Sequence, residues 1–123
     1  MDCDVESEGM HYEGNCIRPS SEAYSILLQV TVGVLIRGIR MLSEMPVFQR
    51  TGGTHSAILF TKDGDPLFSA EDISRHNTVD KVIGGGLKMG TDLRESWLAV
   101  SGRLSTDMVL KPMLVGIPIV ASV

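Results

Sequence analysis

One run of eleven residues, Glu71-Asp72-Ile73-Ser74-Arg75-His76-Asn77-Thr78-Val79-Asp80-Lys81, holds six ionisable side chains and an amide. Carboxylates there can hydrogen-bond a base or sugar, cations can neutralise phosphate, and an imidazole can orient a ligand or hold a proton. Two further stretches carry compatible chemistry. Thr51-Gly52-Gly53-Thr54-His55 pairs two glycines, whose backbone N–H groups can cradle an anion, with a second imidazole. Ser101-Gly102-Arg103 offers a hydroxyl, a close-approach glycine and a cation. Together they suit a phosphorylated or nucleotide-like ligand. Gly52, Gly53 and Thr54 would give backbone contacts, and Arg75, Lys81 and Arg103 would neutralise charge. Glu71, Asp72 and Asp80 would read base or sugar, with His55 and His76 orienting the ligand and Asn77, Ser101 and Gly102 beside them. Asp80 and Lys81 read equally well as a solvated helix face.

The elements that must position these residues follow from periodicity and punctuation. Tyr24 to Val30 is short and apolar, compatible with a strand or a buried helix. Thr31 then reads as an N-cap, and Val32, Leu35, Ile36, Ile39 and Leu42 recur at helical spacing until Pro46 ends the helix. His55 to Phe60 reads as a strand, Asp63-Gly64 as a hairpin turn and Pro66 to Glu71 as the returning strand. A helix capped by Asp72 or Ser74 follows. Its buried stripe would be Val79, Val82, Ile83, Gly86 and Leu87, with His76 aimed inward at its first turn. Gly84-Gly85-Gly86 implies close packing on the sheet or an early end. Ser96 to Val100 reads as a buried strand, Ser105 or Thr106 as the cap of a helix reaching Val115, and Ile117 to Val123 as the last strand. This order predicts a three-layer α/β/α domain with a mixed sheet over 23–123, its last strands parallel through a right-handed crossover. The turns 51–55, 71–81 and 101–103 would then meet at one edge.

Composition excludes several classes. The chain has 123 residues, 43% apolar and 21% charged, with a net charge of −4. Six acids face one base in residues 1–22, whereas nine acids meet ten bases thereafter. A nucleic-acid binder should carry a basic face, and none is evident. No apolar run is long enough to span a membrane and no signal peptide is visible, so a cytoplasmic protein is expected. Residues 1–22 lack apolar periodicity and read as a polar, mobile segment. It contains both cysteines, Cys3 and Cys16, which suit either solvent-facing residues or reactive thiols. They form neither an expected disulfide nor a zinc site. The last strand stops in mid-element, as in a piece of a longer protein.

Phe48-Gln49-Arg50-Thr51-Gly52-Gly53-Thr54-His55-Ser56-Ala57, the 71–81 run and Ser101-Gly102-Arg103-Leu104-Ser105 together resemble the formate dehydrogenase accessory (FdhD/NarQ) family from about residue 25 onward. The resemblance implies a cytidine-deaminase-like fold and a role in activating formate dehydrogenase. It implies a sulfurtransferase that takes sulfur from a cysteine desulfurase as a persulfide. The sulfur passes to the molybdenum or tungsten of a bound bis-guanine-dinucleotide molybdopterin, so GDP- or GMP-like ligands are expected as well. Family members carry a Cys-x-x-Cys loop upstream of the first helix. This chain has none, which leaves Cys16 and Cys3 as the candidate sulfur acceptors. The other reading is a relative, shortened at both ends, that binds cofactor or guanine nucleotide without transferring sulfur. Deaminase-type zinc is not expected, because His76 would be a first ligand but residues 101–105 supply no thiol. A homodimer covering exposed sheet edges is expected.

Overall fold

The computed structural model describes residues 28–123. The expected mobile segment 1–22, Cys3, Cys16 and most of the 24–30 stretch lie outside the described residues. Helix α1 (Val32–Met41) starts at Thr31, whose hydroxyl accepts the Val34 N–H at 3.3 Å. A single tight turn (Leu42–Glu44) follows, and then a second short helix, α2 (Pro46–Thr51). Pro46 was expected only as a stop, but it opens α2. A proline at the first helical position loses no intrahelical hydrogen bond and presets φ. Gly52 ends α2 at φ +66, the left-handed conformation that glycine adopts without penalty.

Strands β1 (His55–Thr61) and β2 (Pro66–Asp72) form the expected antiparallel hairpin, with Gly64 at φ +94 in its turn. Helix α3 (Arg75–Lys88), strand β3 (Ser96–Val100), helix α4 (Thr106–Leu114) and strand β4 (Ile119–Ser122) complete the chain. Sheet order is β2-β1-β3-β4; β3 runs antiparallel to β1 and parallel to β4, so the sheet is mixed as expected. The narrower likeness to cytidine deaminases rests on the sequence resemblance alone. Among the described residues no helix is long and apolar enough to cross a membrane.

Strand alternation sends two side-chain sets to opposite faces of the sheet. Ala57, Leu59, Leu98 and Val100 pack with Val79 and Val82 of α3 and Met108 of α4. Ile58, Phe60, Trp97 and Ala99 pack with Leu42 and with Val34, Leu35 and Ile39 of α1. Phe60 and Trp97 stack with ring centroids 4.6 Å apart, beneath a backbone that approaches closely at Gly38. A Cβ there would lie 2.5 Å from the Trp97 ring, so the Gly38 face of α1 sets the contact. Val32 and Ile36, expected in the buried stripe, therefore face outward and are exposed. Leu87 of α3 is likewise exposed rather than buried. The glycine run in α3 marks close packing and not an early end. A Cβ on Gly85 would collide with the Phe68 ring, and one on Gly86 would crowd Leu59.

Candidate functional site

The three motif turns do meet at one edge of the sheet, where β1 begins and β2 and β3 end. Ser101 joins two of them: its N–H donates to the Ser56 carbonyl at 3.0 Å, and its Oγ accepts the Ser56 N–H at 2.9 Å. The same Oγ lies 3.2 Å from His55 Nδ1. With Nδ1 engaged, Nε2 is the ring atom left for a ligand. Ser56 ties β1 to the end of α1, its buried hydroxyl donating to the Leu42 carbonyl at 3.1 Å.

A cleft of about 590 Å³ opens on the α1 and α2 side of this edge, within the size range of small-molecule sites. Gly52, Gly53, Thr54, His55 and Ser101, all expected at the site, line it. So do Ile39, Arg40, Phe48, Ile73 and Val123, which sequence reasoning left out. Ile73, in the turn between β2 and α3, is 80% exposed. The lining is mainly apolar, with a few hydroxyls, one imidazole and the Arg40 guanidinium. Such a surface favours a flat, partly apolar group with a small number of polar contacts.

The charged half of the expected site is arranged differently. Glu71 turns its carboxylate toward α2. Its Oε1 accepts the Phe48 N–H at 2.8 Å and the Thr54 hydroxyl at 2.7 Å, while Oε2 accepts the Val47 N–H at 2.9 Å. Burial pushes its carboxyl upward. The hydrogen bonds from Val47, Thr54 and Phe48, with the Arg50 charge, outweigh that and hold it below the usual range. Asp72, the next residue, turns toward α3. It pairs with Lys81 Nζ at 2.8 Å and accepts the Ser74 N–H at 2.9 Å. Lys81, the Ser74 N–H and Asn77 together hold its carboxyl down at about 2. Lys81 also donates to the Glu71 carbonyl, and Asp80 pairs with Lys111 at 3.1 Å on the outer face of α3.

Helix α3 is capped by Ser74, whose hydroxyl accepts the Asn77 N–H. His76, three residues before Val79 and seven before Ile83, is at the edge of the buried stripe. Arg75, four before Val79 and seven before Val82, borders the same stripe. It packs on Gly102, where an added Cβ would sit 2.7 Å from Arg75 Cδ. Arg75 Nε is buried without a hydrogen-bond partner, and so is Ser105 Oγ at the start of α4. His76 is half-buried at the margin of that stripe, and Arg103 is exposed. Arg75, His76, Asn77, Lys81, Gly102 and Arg103 thus lie at the same edge but outside the cleft lining, and Asp80 is outside it on the outer face of α3. Among the described residues no three His, Cys, Asp or Glu side chains converge to hold a metal ion.

Residues 3–123 match the model of the FdhD/NarQ family. The chain belongs to that family. It is 42% identical over 102 residues to the sulfur carrier protein FdhD of Anaeromyxobacter sp. (strain K), covering 76% of this chain and 35% of that protein. Against the sulfur carrier protein FdhD of Thermoplasma volcanium it is 45% identical over 94 residues, covering 76% and 32%. A crystal structure from Desulfotalea psychrophila, ascribed the role of formate dehydrogenase accessory protein, matches with a TM-score of 0.66 and 33% identity. That match covers 80% of this chain and 45% of the other. The chain spans about a third of the length of the curated FdhD relatives it matches.

Proposed function

We propose that this chain serves formate dehydrogenase as an FdhD-type accessory protein, and that its cleft binds a guanine-nucleotide end of the molybdopterin cofactor. The observation that carries this reading is the convergence of the motif residues Gly52, Gly53, Thr54, His55 and Ser101 on one apolar cleft. A flat purine suits its walls, and His55 Nε2 and the Thr54 region supply directional contacts. A cleft of this size takes one nucleotide-sized end, not the whole two-ended cofactor. Arg40 stands at the lining for a phosphate, with Arg75, Lys81 and Arg103 farther along the edge. Glu71 and Asp72, whose carboxylates already accept hydrogen bonds within the fold, are positioned as supports.

The names of the relatives support the sulfur half of the proposal. A cysteine thiolate, Cys16 or Cys3, would attack the outer sulfur of the persulfide on a cysteine desulfurase and release the desulfurase thiolate. That sulfur would then pass as sulfide to the cofactor metal, molybdenum or tungsten, taking two electrons from the reduced metal and leaving the cysteine as thiolate. A second copy of the chain along the outer edge of β4 would complete a homodimer. Calorimetric titration with GDP tests the cleft: micromolar binding that falls at least tenfold in His55→Ala supports it, and no binding to the folded protein contradicts it. Mass spectrometry after incubation with a desulfurase and cysteine tests the carrier. One added sulfur on Cys16 or Cys3 supports it. No added sulfur, in a protein that still binds GDP, favours a binding module without transfer.

A further inference from the structure

We propose that Glu71 is a positioning residue for the cleft: from the end of β2 it holds the 47–54 strap in the place that gives the cleft its wall. This rests on the nucleotide reading of the same cleft. Three donors, the N–H groups of Val47 and Phe48 and the Thr54 hydroxyl, bracket the strap, and all three point at this one carboxylate. Phe48, Gly52, Gly53 and Thr54 between them line the cleft, whereas Glu71 does not.

The strap's other side-chain hydrogen bonds are local: Gln49 donates to the Ser43 carbonyl, the Thr51 hydroxyl to the Val47 carbonyl and the Gly53 N–H to Thr51 Oγ1. Helix α2 is six residues long and no side chain at its N-cap, Met45, accepts from it. A helix this short is not stable by itself in water. Its second and third N–H groups need an external acceptor, and Glu71 provides both. Beyond it, residues 51–53 are exposed, and an added Cβ at Gly52 would meet nothing within 4 Å. The hydrogen-bond pattern requires a carboxylate specifically. A glutamine would set its NH2 against a donor, since all three partners donate. The carboxyl is also held below its usual range, so it stays charged at neutral pH.

The test compares Glu71→Gln with Asp92→Ala. Asp92 accepts the Arg94 N–H in a turn remote from the cleft, so its loss costs stability alone. GDP affinity by calorimetry should fall at least tenfold in Glu71→Gln and stay within twofold of wild type in Asp92→Ala. Amide exchange without ligand should speed up at least tenfold at residues 52–55 in Glu71→Gln only. A direct ligand contact would reduce affinity yet leave that exchange as in wild type, and would overturn the proposal. Equal affinity losses in both variants would also overturn it. If Glu71→Gln does not fold, Thr54→Val removes one of the three contacts and should shift both readouts in the same direction by a smaller factor. If the wild type binds no GDP, the nucleotide reading fails, and the exchange result alone decides the role of Glu71.

Discussion

Glu71 and Asp72 are neighbours at the end of one strand, both acidic, and both with carboxyls held below their usual range. They serve opposite faces of the sheet. Glu71 reaches the α2 side and binds the strap that walls the cleft, whereas Asp72 reaches the α3 side and ties the first turn of that helix through Ser74 and Lys81. The alternation of a strand is enough to split them. A pair that reads in sequence as one acidic site is therefore two separate supports. The cleft they flank is walled by residues of quite different character.

The contrast can be broken most severely from the α1 side. Trp97→Ala removes the fully buried ring on which Gly38 and Phe60 rest, with an expected loss of about 3–5 kcal/mol in the urea midpoint analysis. It should loosen α1 and the cleft more than α3, which amide exchange can separate. Glu71→Gln comes next, at about 1–3 kcal/mol, because it strands a backbone donor in a partly buried place. Smaller again is the response to acid. Asp72 titrates at about 2 in the fold against an ordinary 3.8, so its contribution is present above the ordinary value and lost as pH falls from about 3.8 toward about 2. Urea midpoints measured down through that window should decline less steeply in Asp72→Asn than in wild type; an unchanged slope contradicts the pairing. Lys81→Met should be the mildest, about 0.2–1 kcal/mol and reduced by salt, since Lys81 is half-exposed.

Much of the fold was legible because its signals are local. The Asp63-Gly64 turn, the Thr31 and Ser74 caps and the apolar run of β3 each give a boundary from a few residues. The meeting of the three motif turns was also legible from topology. Helix α2 was not, because a proline can both stop one helix and start another. Spacing does not separate the two residues at the start of α3: Arg75 is in step with Val79 and Val82, and His76 with Val79 and Ile83, and both are half-buried. The cleft walls were hidden for a different reason. Ile39, Phe48 and Ile73 look like core or helix residues until the tertiary packing leaves a gap beside them. Glu71 carried a usable signal: strand alternation alone puts it on the opposite face from Ala70 and Asp72, and its pairing with Ser56 in β1 agrees.

The most direct test of the proposal that the cleft binds a nucleotide is a calorimetric titration of GDP into the folded wild-type chain and His55→Ala. Saturable one-site binding by the wild type, weakened at least tenfold in His55→Ala, is the predicted result. No heat from a folded wild type, or equal affinity in the two proteins, would contradict it.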